Sequence, residues 1–204
     1  MKRTKLWDYA MVMGGALIAT LILRSEFVEG YKIPSESMIP TLLVGDNLLA
    51  NKFVYGLNLP FFDRKILILT SPHRGDIIVF RSPEDPRKDL IKRVIAVEGD
   101  LIEGRNKQIF VNGKPADEPY VQHTDSLLED PRDDFGPYVV PRGKLFAMGD
   151  NRDESNDSRF FGFVDVKDVE GKAFLLYWSW DSKKHLPRFG RIGHFLGNKI
   201  QFFP

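Results

Sequence analysis

Turn-forming residues limit what this chain can fold into. It carries 17 glycines and 13 prolines in 204 residues, and beyond residue 46 the turn signals cut it into apolar runs too short for stable helices. The runs at 47–54, 66–70, 77–80, 90–97, 108–111, 144–148, 161–164 and 171–180 carry the Val, Ile, Leu and aromatic residues that suit strands. Asn112-Gly113, just after one of them, gives the strongest hairpin signal, because both residue types accept the positive φ of a type I′ turn. The expected fold is all-β, with mostly antiparallel strands forming one core. The acidic stretch 125–134 reads as a mobile loop, and an amphipathic tail starts at Arg188.

One run breaks this pattern. From Tyr9 to Leu23 every residue is apolar, small or Thr20. A bilayer core takes about 20 such residues and about 17 at the least, so Leu6 and Trp7 must help if the run spans a membrane. A secretory signal peptide also starts basic and turns apolar, but it closes on a small-x-small site, whereas here the run ends in Leu21-Ile-Leu-Arg24. The expectation is one uncleaved N-terminal transmembrane helix. Lys2, Arg3 and Lys5 precede it, which places the N-terminus in the cytoplasm and everything after it outside. The predicted organisation is a start and anchor over residues 1–24, then an extracytoplasmic β-rich domain over 25–204. A net charge of +1 gives no footprint for nucleic acid. The absence of cysteine excludes disulfides, thiolate catalysis and cysteine-based zinc sites.

Chemistry-bearing residues gather in three places. Ser35 and Ser37 lie between Pro34 and Pro40, which fix φ and remove backbone donors, so the segment is a stiff extended loop. Pre-positioning of this kind suits a nucleophile, although an ordinary Ser/Pro turn has the same composition. Lys92 sits with Arg93 inside the apolar run 90–97. A lysine buried there favours its neutral amine and can take a hydroxyl proton; at a strand edge it would snorkel to water instead. His73, His123, His185 and His194 stand beside no serine-containing motif, so a Ser-His-Asp triad has no marked partners. Residues 150–159 pack carboxylates, arginines and serines into ten positions; a calcium loop started at Asp153 fails because Ser158 stands where glycine is needed. Arginines neutralising carboxylates in a rigid turn fit better.

Together these segments resemble the bacterial type I signal peptidases. Ile33-Pro-Ser-Glu-Ser-Met-Ile-Pro-Thr-Leu42 is similar to that family's nucleophile box. Arg74-Gly-Asp-Ile-Ile-Val-Phe80 is similar to its core strand box, Ile91-Lys-Arg-Val94 with Gly99-Asp100 to its lysine box, and residues 149–159 to its final box. The likeness spans roughly residues 29–181. It implies a Ser/Lys endopeptidase with Ser37 as nucleophile, Lys92 as general base, Ser35 and the Ser37 N–H as oxyanion donors, and Ser155 hydrogen-bonded to the lysine amine. It further implies structural ion pairs Arg93 with Asp150 and Asp157 with Arg159, and a shallow substrate wall of Tyr31, Ile33, Met38, Leu42 and Ile91. The family's second β-domain would be a short β-hairpin subdomain inserted at about 101–148. Signal peptides of exported preproteins, cut after an Ala-x-Ala-like site, would be the substrates, and membrane lipid the other partner. No metal or organic cofactor is implied. Leu90, Glu98 and Glu154 depart from the residues commonest in the family, and Leu90 bears on subsite preference. Two rivals stay open at this point: a Ser/Lys protease with one dedicated substrate, and a membrane-tethered β-domain that binds peptides without turnover.

Overall fold

The computed structural model describes residues 7–15, 27–58, 65–67 and 70–197. In chain order the strands are β1 (Val28–Lys32), β2 (Asp46–Asn51), β3 (Leu57–Asn58), β4 (Lys65–Leu67), β5 (Ile77–Arg81), β6 (Asp89–Val97), β7 (Leu101–Arg105) and β8 (Gln108–Val111). There follow β9 (Lys114–Pro115), β10 (Phe135–Val139), β11 (Lys144–Met148), β12 (Val164–Asp165), β13 (Val169–Asp181), β14 (Leu186–Pro187) and β15 (His194–Phe195). Every strand pair is antiparallel.

The main sheet runs β1-β2-β13-β5-β6-β11-β12, with β14 and β15 added along β13. Its long strand β13 buries alternate residues through Val169, Gly171 and Ala173, the period of two that puts one face on a core. Two apolar clusters line this sheet. One joins Ile33, Met38 and Leu42 to Leu48, Ala50, Ile77, Val79, Ala173 and Leu176. The other joins Ile78, Phe80 and Val94 to Leu145, Ala147, Val164 and Val169.

The insert is a sheet of its own, ordered β10-β7-β8-β9, rather than a hairpin. It occupies residues 101–139. β11, which the sequence reading assigned to the insert, lies in the main sheet between β6 and β12. A second hairpin turn joins β7 to β8 at Asn106 and Lys107, both at positive φ, matching the turn at Asn112 and Gly113. A lysine in that position carries no hairpin signal, which is why β7 escaped notice. The insert shares its core with the main sheet: Ile102, Ile109, Val111 and Phe135 pack with Ile95, Ala96, Phe146 and Met148.

Other expectations also shift. The strand expected at 47–54 stops at Asn51, whose Oδ1 takes the Val54 N–H and closes a turn. The strand expected at 161–164 is replaced by a one-turn helix, Ser158–Phe161, capped by the Asp157 carboxylate and ended at Gly162, with β12 after it. The stretch 125–134 is pinned rather than loose. Arg132 forks onto Asp125 at 2.9 and 3.1 Å, and the buried Asp153 accepts the N–H groups of Thr124 and Asp125 at 2.7 and 3.0 Å. The expected anchor falls mostly outside the described residues. Residues 7–15 are helical, and among the described residues no helix is long and apolar enough to cross a membrane.

Gly45 shows how tightly the first loop is seated. Its φ is +93°, and a Cβ there would collide with the carbonyl oxygen of Trp180, the residue whose N–H it bonds. Gly45→Ala is expected to destabilise the fold by about 1 to 3 kcal/mol from the strained φ alone. Urea unfolding would show this as a lower midpoint at unchanged slope, and a midpoint equal to the parent's would contradict it.

Candidate active site

The loop from Ile33 to Gly45 carries both serines, and its base is stitched shut. The Ile33 N–H bonds the Asp46 carbonyl at 2.8 Å, and the Gly45 N–H bonds the Ile33 carbonyl at 3.0 Å. Beneath it the fully buried Asp46 carboxylate accepts from the Leu43 N–H, from Ser179 and from Arg191. Ile33, Met38 and Leu42 point into the core, so the loop is fixed from below. Ser35 is left exposed, and its Oγ lies 3.4 Å from the Ser37 Oγ.

Strand β6 brings in the lysine. Its register with β5 pairs Lys92 with Ile78 and Arg93 with Ile77, and neighbouring residues of a strand project to opposite faces. Both are buried, each on its own partners. Lys92 Nζ meets Ser37 Oγ at 2.6 Å, with the two residues 3% and 8% exposed. Burial pulls the Lys92 pKa down to about 8; the Asp157 and Asp150 carboxylates oppose this and the Arg159 guanidinium assists it. Arg93 forks onto Asp150 at 2.9 and 2.7 Å, donates to the Gly75 carbonyl, and lies 3.9 Å from the centre of the Tyr120 ring.

The third wall is the segment 149–159. β11 ends at Met148, paired with Arg93, and delivers Gly149 against the backbone of the serine loop. A Cβ on Gly149 would collide with the Ser155 Oγ and the Ser37 carbonyl oxygen, so only hydrogen fits there. Asp157 has no exposed surface. Its carboxylate accepts from the Gly149 N–H at 3.0 Å, from Ser155 Oγ at 2.7 Å and from the Arg159 guanidinium at 2.9 and 2.8 Å. Burial alone would raise its pKa, but Arg159 and these hydrogen bonds outweigh that and hold it low. Thr41 Oγ1 donates to Asp150 at 2.5 Å, and the Asn151 N–H bonds the Ser37 carbonyl at 3.1 Å. The box is thereby sewn to the serine loop.

Ser155 differs from the expectation. Among the described residues its hydroxyl bonds Asp157 and forms no bond to Lys92. A hydroxyl has one proton to give, and a carboxylate at 2.7 Å is a strong acceptor for it. Of the five expected wall residues, Ile33, Met38 and Leu42 are buried within the core, and only Tyr31 and Ile91, packed against the same cluster, keep exposed surface. No histidine among the described residues bonds Ser37. Gly149, Asn151, Thr41 and Tyr120 were not singled out in the sequence. Gly149 and Asn151 stand inside a recognised segment, but nothing in sequence marks a close approach to a loop more than a hundred positions away.

A lysine held near 8 instead of its ordinary 10.5 has a consequence for stability. Between those values the unfolded chain binds a proton that the folded chain has released, so the penalty is full below pH 8 and relieved as pH rises toward 10.5. Lys92→Met removes it. The variant is expected to melt above the parent near neutral pH, with the gap closing in alkali; a gap independent of pH would show that the lysine is not buried as a strained cation.

Comparison with known proteins supplies the context for this geometry. A family model described as "Signal peptidase, peptidase S26" matches residues 6–178. The chain is 37% identical to a signal peptidase I of Pseudomonas fluorescens and 37% identical to one of Pseudomonas aeruginosa, each over 94% of this chain and 80% of the relative. It is 36% identical to a signal peptidase I of Aquifex aeolicus, over 80% of each chain. With the family model spanning most of its length and such relatives covering nearly all of it, the chain belongs to the signal peptidase family, peptidase S26, and is a peptidase that cleaves signal peptides.

Proposed function

We propose that the chain is a membrane-anchored endopeptidase that removes signal peptides with a Ser37/Lys92 dyad, cutting after Ala-x-Ala-like sites. The observation that carries this reading is the 2.6 Å bond between Lys92 Nζ and Ser37 Oγ, made by a lysine whose burial lowers its pKa to about 8. At mildly alkaline pH such a lysine is neutral and able to act as a base.

The steps follow from the geometry. Ser37 Oγ attacks the scissile carbonyl carbon while its proton passes to Lys92 Nζ, and the carbonyl electron pair moves onto oxygen. The Ser37 N–H and the Ser35 hydroxyl receive that oxyanion. When the intermediate collapses, the C–N bond breaks and the departing amine takes the proton from Lys92. A water then attacks the acyl-enzyme, giving its proton to Lys92, and Ser37 leaves with that proton restored. The Arg93–Asp150 pair holds the third wall against β6, the Asp157–Arg159 pair stiffens that wall from within, and Ser155 belongs to the Asp157 anchor.

Substrate choice follows from the wall. A peptide in extended conformation turns alternate side chains to one side, so the residues at −1 and −3 face the enzyme together. With Ile33, Met38 and Leu42 buried, partly exposed Tyr31 and Ile91 would offer an apolar wall with room for small side chains only. The domain over residues 25–204 is assigned to the outer face of the cytoplasmic membrane, behind an anchor in residues 1–24. The basic start supports this orientation. Attachment to a lipid surface, though not its sidedness, is in keeping with the exposed aromatic side chains Trp178, Trp180 and Phe189 near the C-terminal end of β13.

Two experiments on the detergent-solubilised chain test the reading. Ser37→Ala is expected to abolish preprotein cleavage with the fold intact, and the parent rate should climb through pH 8 as Lys92 deprotonates. A Ser37→Ala chain that cleaves at the parent rate, or a rate flat across that range, would sink the dyad. In a panel varied at −3, −2 and −1, Ala should far outrun Leu at −1 and −2 should be tolerant. Ile91→Ala should widen −1 toward larger residues, since displacing packed residues commonly costs about 1 to 3 kcal/mol. Equal turnover of Ala and Leu by the parent would remove the shallow wall.

A further inference from the structure

The peptide unit joining Glu36 to Ser37 is held in an unusual way. Its oxygen accepts two hydrogen bonds, from the Ile39 N–H at 3.1 Å and from the Asn151 side-chain Nδ2 at 3.2 Å. Its other end is free: among the described residues the Ser37 N–H meets no acceptor, although Ser37 is buried. Backbone N–H groups of buried residues are nearly always paired, so the open one on Ser37 is suited to donate to a substrate oxygen. The peptide after Ser37 is gripped by the same residue, since the Asn151 N–H bonds the Ser37 carbonyl at 3.1 Å. One asparagine therefore brackets both peptide planes of the serine.

We propose that Asn151 is a positioning residue for the oxyanion site, acting through the Glu36 carbonyl on the Ser37 N–H. This rests on the dyad reading and adds to it. In a trans peptide the C=O and N–H point in opposite directions, so fixing the oxygen on Asn151 aims the N–H away from the 149–159 segment. A carbonyl that accepts hydrogen bonds also polarises its own amide, which makes the N–H a stronger donor. Asn151 does little else with its side chain. It is buried at 2% exposure, and among the described residues its Oδ1 has no hydrogen-bond partner and the Glu36 bond is the amide's one tie. The asparagine backbone is steadied from the insert, where Gln122 bonds the Asp150 carbonyl at 2.9 Å and accepts the Arg152 N–H at 2.9 Å.

A tetrahedral oxyanion is the species this arrangement serves, so the test compares ligands with and without one. A peptide aldehyde ending in Ala reacts with Ser37: the Oγ–C bond forms, the carbonyl electron pair moves onto oxygen, and the hydroxyl proton goes to Lys92. The matching peptide alcohol binds without that oxyanion. In the detergent-solubilised full chain, Asn151→Ala is expected to lower kcat about tenfold, short of the ~10² to 10³ for removing an oxyanion donor outright. KM and the midpoint of the pH profile should stay where they are. Aldehyde affinity should fall by the same factor as kcat/KM while alcohol affinity holds. Asn151→Leu, which keeps the volume, adds no charge and cannot donate, should behave alike. The proposal is overturned if either variant keeps the parent kcat, if aldehyde and alcohol weaken equally, if the pH midpoint moves, or if Tm falls in step with activity. A parent chain that ignores the aldehyde, or a Ser37→Ala chain that still cleaves, would bring down the dyad reading itself.

Discussion

An amine kept out of water is the constraint around which the rest of this molecule is arranged. Lys92 lies on β6, an interior strand flanked by β5 and β11, so neither side of its backbone opens to solvent. Its ammonium form is penalised there, and the penalty is only tolerable because charge nearby is balanced. Asp157 and Asp150 stand close enough to favour a proton on the lysine, and each is in turn saturated by a guanidinium, Arg159 or Arg93. Left unpaired, either carboxylate would favour the ammonium more strongly; with Arg159 offsetting part of their pull, desolvation is the largest influence and prevails. The ion pairs thus act on the lysine while also bracing the segment that carries them.

Much of this was legible in the sequence because it depends on local chemistry. The strands at 77–80, 90–97, 108–111 and 144–148 announce themselves by β-branched and aromatic runs between turns. Ser35, Ser37, Lys92 and the charged segment 149–159 stand out as residue types in unusual company. What stayed hidden depends on distant partners. β7 leads into a turn whose second residue is lysine, where a glycine would have been informative. The helix Ser158–Phe161 wins over a strand because Asp157, held by Arg159 and Ser155, is placed to cap it. The stretch 125–134 has the composition of a loose loop, yet its carboxylates find Arg132 and Lys107 once the chain is folded. Charge density alone does not distinguish a solvated run from a clamped one.

The serine loop illustrates a different limit. Its prolines foretell stiffness, but its position is fixed by contacts no local pattern encodes: Asp46 to Arg191, Thr41 to Asp150, and Asn151 to the Glu36 and Ser37 carbonyls. Two distant parts of the chain, residues 150–151 and Arg191, hold one short loop. Gly149 matters in the same way, as a residue whose missing side chain is the feature, since it lets the box approach the serine backbone.

The insert has a role that its separate sheet conceals. Its apolar side chains complete a core with β6 and β11, and its following stretch is tied to Asp153 and, through Glu118, to Arg152. Loosening of the four-stranded sheet would therefore expose Ile95 and Phe146 and slacken the segment that faces Lys92. With one core between them, the insert and the main sheet are expected to melt together, and a chain trimmed of residues 101–139 would lose the dry environment of Lys92 along with the sheet.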